Sequence, residues 1–137
     1  VILLDTNVWS VLRKPEGNRE IVQWITERMT DIWLSVIVIA EIRAGIENLD
    51  ASKKREALEG WLADLEILYS ERTLPFDTAA AHGFGTLIAQ RKLAKQETKL
   101  LDLQIAAQAL SRNCPVATRN VRDFAWTGVK LIDPWTA

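Results

Sequence analysis

Cysteine is almost missing from this 137-residue chain, where Cys114 stands alone. A lone thiol excludes an internal disulfide and suits a reducing compartment, so a cytoplasmic protein is expected. Histidine is as scarce. His82 is the only one, so a Ser-His-Asp set would have to be built around it. Its angular distance from Phe84 on the helix expected there makes it a surface residue. No apolar run approaches the roughly 20 residues of a membrane span. No basic stretch precedes the first apolar run, as a secretory signal would require. Charge of one sign is lacking too. Seventeen Lys and Arg against 18 Asp and Glu leave a formal net charge of −1, so any contact with nucleic acid must come from a local patch. Neither a GxxxxGK[ST] loop nor a GxGxxG turn is present, which removes the common nucleotide-binding loops. Four prolines and six glycines punctuate the chain sparsely, with no linker, repeat or low-complexity tract. One domain spanning residues 1–137 is expected.

What is present is an alternation of short apolar runs and helical stripes. Val1 to Leu4 reads as a buried strand, followed by a short helix from Asp5 to Arg13. Ile21, Val22, Ile25 and Met29 mark one helical face. Ile32 to Leu34 is a second strand, and Ser35 is placed to cap a helix carrying Val38, Ile42, Gly45, Ile46 and Leu49 on one stripe. Leu58, Trp61, Leu62 and Leu65 define the next helix. Leu74-Pro75-Phe76 reads as an edge strand because of its proline, and Asp77 can cap the helix of Ala80, Phe84, Leu87 and Ile88. Ile105, Ala106, Ala109 and Leu110 form a further stripe, with strands at Pro115 to Thr118 and Lys130 to Ile132. Strands apolar on both faces and alternating with helices predict an α/β fold around a mainly parallel sheet.

Three acids interrupt this apolar pattern. Asp5 ends the first strand, where ligands of such sheets bind. Glu41 stands three residues after Val38 and four before Gly45, which puts it on the apolar stripe. Asp102 precedes Ile105 and Ala106 by three and four residues, on the core side of its helix. Each alone is readily a helix cap or a surface acid. Together they point to one end of one sheet. Carboxylates about 4 Å apart repel by roughly 4 kcal/mol per pair at an effective dielectric of 20. Such a group either protonates or takes a divalent cation. Oxygen ligands without cysteine or a histidine pair favour Mg²⁺ or Mn²⁺ over zinc. An aspartyl-phosphate enzyme would want a second Asp where Asn7 stands.

The segments LLDTNVWS (Leu3 to Ser10), LSVIVIAEIRAG (Leu34 to Gly45), LPFD (Leu74 to Asp77), LLDLQIAAQA (Leu100 to Ala109) and VATRNVRDF (Val116 to Phe124) resemble, in this order, a PIN-domain ribonuclease of the VapC/FitB-like toxin group. The resemblance runs over nearly the whole chain. It implies a three-layer α/β/α sandwich and metal-dependent cleavage of RNA. It implies Asp5, Glu41 and Asp102 as catalytic and metal-holding acids. The fourth acidic position of the family falls on Asn120, a departure. Asn120 can still offer a carbonyl oxygen, and Asp123 three residues on can take over. The family's hydroxyl and amide neighbours fall on Thr6, Asn7 and Thr118. Arg13, Arg43, Arg119 and Arg122 flank these positions, and substrate contact is expected of Thr6, Asn7, Arg43, Thr118 and Arg119. The resemblance further implies a homodimer, and a hetero-oligomer with a cognate antitoxin, a VapB/FitA-like DNA-binding protein that blocks the site. Lys92, Lys95 and Lys99 read as a solvated helix end. Trp9, Ile21, Trp61 and Trp135 are the candidate partner contacts. Two other functions fit the residues: a non-catalytic binding module of the same fold, in which the acids grip a basic segment, and a metal-dependent DNA nuclease.

Overall fold

The computed structural model describes residues 1–137. Five strands form one sheet in the order β3-β2-β1-β4-β5, and every neighbouring pair is parallel. They are β1 (Ile2–Leu4), β2 (Ile32–Ser35), β3 (Thr73–Leu74), β4 (Val116–Ala117) and β5 (Leu131–Ile132). The helices are α1 (Thr6–Trp9), α2 (Arg19–Glu27), α3 (Val36–Glu47), α4 (Lys53–Leu68), α5 (Thr78–Leu93), α6 (Leu100–Arg112) and α7 (Val121–Phe124). The sheet is the middle layer of an α/β/α sandwich. Parallel strands need helical crossovers, and those helices cover both faces. Hence Leu3, Leu4, Ile32, Leu34, Val116 and Ala117 are all fully buried.

Side-chain caps set where the helices begin. Ser35 Oγ accepts from the Ile37 N–H at 3.0 Å and starts α3. Asp77 Oδ1 accepts from the Ala80 N–H at 2.9 Å and starts α5. Each cap satisfies a backbone donor that the first helical turn leaves free. Asn113 ends α6 in the left-handed region, φ 52°, which asparagine tolerates better than most residues.

Several elements differ from expectation. The first helix breaks after Trp9 into a 3-10 turn, Ser10–Arg13. β3 is shifted towards its start, because Pro75 has no N–H to give a ladder and pairing stops at Leu74. It does occupy the sheet edge. Met29 lies beyond the end of α2 and is exposed, and Gly45, Ile88 and Leu110 face outward on their helices. Trp9 is fully buried and Ile21 nearly so, so neither can serve a partner surface. Trp9 instead packs edge-on against Tyr69, ring centroids 5.1 Å apart.

Candidate metal centre

The strand order reverses direction around β1. The chain leaves β1 towards β2 on one side, and β4 fills the other. At such a switch point the loops beyond the strand ends part and open a crevice. Asp5 follows β1 and Thr118 follows β4, one on each side of it. The Thr118 hydroxyl donates to Asp5 Oδ2 at 2.8 Å. Asn7 Nδ2 donates to the same oxygen at 3.2 Å and to Thr118 Oγ1 at 3.4 Å. The Thr6 N–H donates to Asp5 Oδ1 at 2.8 Å. The apolar strand therefore ends on Asp, Thr and Asn because these residues, with Thr118 opposite, fix a buried carboxylate across the crevice.

Glu41 and Asp102 arrive from opposite helices. α3 places Glu41 one turn beyond buried Val38, and the first turn of α6 carries Asp102. One carboxylate oxygen from each of Asp5, Glu41 and Asp102 lies within 4.8 Å of the other two. Glu41 Oε1 and Thr6 Oγ1 are buried and have no hydrogen-bond partner. Burial, and then the charges of Asp5 and Asp102, push the Glu41 carboxyl up to about 7. Burial, followed by Asp5 and Asp123, raises Asp102 to about 6. Asp5 is raised by burial against the opposing pull of its hydrogen bonds from Thr118, Thr6 and Asn7. Such a group is short of positive charge. Three hard oxygen donors, one of them buried and unpartnered, fit a divalent cation of the Mg²⁺ or Mn²⁺ type.

Asp123 stands in the first turn of α7 and acts on Asp5 and Asp102 by charge. Its carbonyl accepts from Thr98 Oγ1 at 2.8 Å, which ties α7 to the loop before α6. The Asn120 side chain is exposed and caps nothing. Its backbone N–H donates to Thr118 Oγ1 at 3.0 Å. Lys99, at the N-cap position of α6, is the cation whose field offsets Glu41 and Asp102. Lys99 is exposed, as expected of a solvated residue, and its place three residues before Asp102 was the available signal for this second role.

A PIN-domain sequence profile matches residues 2–128. The chain belongs to the PIN-domain family. VapC ribonuclease Y4jK of Sinorhizobium fredii is 37% identical over 138 residues, covering 98% of each protein. Toxin FitB of Neisseria gonorrhoeae is 34% identical, covering 98% of this chain and 99% of its own. The crystal structure of FitAcB from Neisseria gonorrhoeae superposes with a TM-score of 0.88 at 34% identity, over 100% of both chains.

Within this PIN domain the expected substrate contacts divide. Thr118 is fully buried and its hydroxyl is committed to Asp5. The Asn7 amide is spent on both sides, since its Oδ1 accepts from the Arg119 N–H at 3.2 Å. These two side chains position the acid from inside. Arg43 turns along α3 to Glu47, 3.7 Å away. The Arg119 guanidinium lies over the Trp135 ring, 4.9 Å from its centroid. Neither arginine is held against the acids. His82 is exposed on α5, and Cys114 is buried. No helix is long and apolar enough to cross a membrane.

Proposed function

We propose that this PIN domain is a metal-dependent endoribonuclease and the toxin half of a type II toxin–antitoxin pair, acting in the cytoplasm. The supporting observation is the convergence of Asp5, Glu41 and Asp102 within 4.8 Å around an unpartnered, buried Glu41 oxygen. The relatives' names, ribonuclease and toxin, point the same way. Asp5, Glu41 and Asp102 would hold Mg²⁺ or Mn²⁺. When bound, the ion polarises a phosphoryl oxygen and lowers the pKa of water. Hydrolysis adds water across the P–O3′ bond and leaves a 5′-phosphate and a 3′-hydroxyl.

The chain's own part is preorganisation. Three donors lock Asp5 in one rotamer before any ligand arrives, which is the way supporting contacts orient a metal-holding carboxylate. Glu41 and Asp102 bring negative charge that a proton or a cation offsets. Lys99 moderates it. Asn120 and Asp123, exposed at the rim, would meet the nucleic acid or complete the donor set. The protein would work as a homodimer, with a VapB/FitA-like DNA-binding antitoxin closing the site.

The decisive assay compares cleavage of single-stranded RNA and of DNA of the same sequence, at one salt concentration, with Mg²⁺, Mn²⁺ or EDTA. RNA cleavage that EDTA stops, and that Glu41→Gln abolishes, is the expected result. Equal cleavage of DNA would overturn the RNA assignment. Absence of any Mn²⁺ binding by calorimetry would leave a binding module in place of an enzyme.

A further inference from the structure

Beside the acids runs a groove that the metal centre does not use. It lies between the 3-10 turn Ser10–Arg13, α3 and α4, with a volume of about 310 Å³, at the small end of the roughly 300–1,000 Å³ of ligand pockets. Thr6 and Glu41 are among its lining residues, so it adjoins the acid cluster through Glu41. Ile42, Ile46 and Leu58 give it an apolar floor. Arg13, Lys54 and Trp61 line the rest.

The cations here differ from their neighbours. Arg43 pairs with Glu47, and Arg55 pairs with Glu47 and Glu59 at 3.1 Å and 2.9 Å. Arg13 and Lys54 have no ion-pair partner. The acid lining the groove is Glu41, already part of the metal cluster. The Arg13 guanidinium sits 5.7 Å from the centroid of the half-buried Trp61 ring, near the outer limit of a cation–π contact, roughly 6 Å. The groove thus joins a flat aromatic and a guanidinium plane, the two surfaces on which unstacked RNA bases settle, to two free positive charges.

Taking the acid cluster as the place of the scissile phosphate, we propose that this groove seats the nucleotide next to that phosphate. Its base lies against Trp61 over the apolar floor, and Arg13 and Lys54 hold its outer phosphate. The inference rests on the endoribonuclease reading and adds a subsite that sets which phosphodiester is cut. A protein segment docked here would gain nothing from two free cations unless it were acidic, whereas RNA brings a phosphate at every nucleotide. Charge and continuity with the acids both favour RNA.

The test is fluorescence anisotropy of a fluorescein-labelled single-stranded RNA on the Asp5→Asn protein, which keeps the RNA whole, over a series of salt concentrations. Adding Arg13→Gln and Lys54→Gln weakens binding about tenfold and lowers the salt slope by about 0.7 for each phosphate that is no longer neutralised. Lys130→Gln, on the strand β5 side, changes neither. Trp61→Leu weakens binding and Trp61→Phe restores most of it; Lys54 is exposed and Arg13 half-buried without an ion pair, so the two charge variants keep the test open if Trp61→Leu fails to fold. Unchanged affinity and slope in the charge variants overturns the proposal. So does a loss confined to antitoxin binding with RNA affinity intact, which would make the groove a peptide site. The two readings fail separately: RNA bound through the groove but never cut by the unmodified protein with Mn²⁺ removes the enzyme and leaves an RNA-binding groove with no cut to position, while cutting with unaltered binding by the variants does the reverse.

Discussion

The two halves of the acid pocket are built on opposite principles. On the sheet side, Asp5 is buried and accepts three hydrogen bonds, from the Thr6 N–H, Asn7 Nδ2 and Thr118 Oγ1. On the helix side, Glu41 is half-buried and keeps one oxygen without any partner. Both carboxyls are pushed up by burial; Asp5 recovers part of the cost through three donors, Glu41 only through the lesser pull of the Thr6 hydroxyl and Lys99. The sheet half is therefore architecture as well as chemistry. The helix half is chemistry held under electrostatic tension.

The sharpest way to break this comparison is to neutralise each acid in turn. Asp5→Asn and Glu41→Gln should both cut RNA cleavage at least about 100-fold, since each removes a charged donor from the centre. Their stabilities should part. Repulsion alone predicts that Asp5→Asn leaves the fold as stable as before or more so. The donors around Asp5 argue otherwise: an amide nitrogen in place of Oδ2 would face the Thr118 hydroxyl and the Asn7 amide. Losing such charge-assisted bonds costs about 1.5–3 kcal/mol. Glu41→Gln instead removes an unpaired, half-buried charge and should raise the metal-free melting temperature by roughly 3 °C, about 1 kcal/mol in a chain of this size. Equal shifts in thermal melting would show that the two halves are alike.

Next in size is the response to a divalent cation. Mn²⁺ at about 100 times its Kd should stabilise the protein by about 2.7 kcal/mol at pH 7.5. Glu41→Gln should remove most of that shift. An undiminished shift in this variant would place the ion elsewhere.

Metal-free stability should also depend on pH, with a definite sign. A carboxyl whose folded-state pKa lies above its ordinary value binds its proton more tightly in the folded chain than in the unfolded one. The fold then loses stability as pH rises through the interval between the two values. For Glu41 that interval runs from 4.5 to about 7, and for Asp102 from 3.8 to about 6. Melting temperature in EDTA should therefore fall between about pH 4.5 and pH 7, and Glu41→Gln should flatten the upper part of the fall. A profile that rises across this range would mean that other groups outweigh the helix-side acids.

Much of this pocket was legible in the residues. An apolar run ending on Asp5 marks a strand end, and the three- and four-residue spacing of Glu41 and Asp102 from apolar neighbours marks their inward face. What stayed illegible depends on contacts distant in the chain. Nothing local shows that Thr118 serves Asp5 from 113 residues away, or that Arg43 turns to Glu47. The four-residue helix α7 is too short to show a period. Trp9 looks like a surface anchor beside a polar turn until Tyr69 closes over it. Gln108 gives no sequence signal either. It is buried on α6, accepts from Ser35 Oγ, and donates to the carbonyls of Leu74 and Pro75. That clamp ties the start of α3, which carries Glu41, to α6, which carries Asp102.

The smallest expected effect tests whether the sheet half is set by a hydroxyl or merely by shape. Thr118→Val keeps the volume and removes Oγ1, which donates to Asp5 and accepts from the Asn120 N–H and Asn7 Nδ2. Supporting contacts of this kind are worth about 10–100-fold in metal affinity or activity, and two other donors remain on Asp5, so a loss near tenfold is expected. It should appear in Mn²⁺ affinity by calorimetry with little change in the KM for RNA, because Thr118 is fully buried and touches no solvent. Thr118→Ser retains the hydroxyl and should recover most of the affinity. A rise in KM instead, with Mn²⁺ affinity intact, would return Thr118 to the substrate-binding role expected of it and make the crevice between β1 and β4 a nucleotide contact after all.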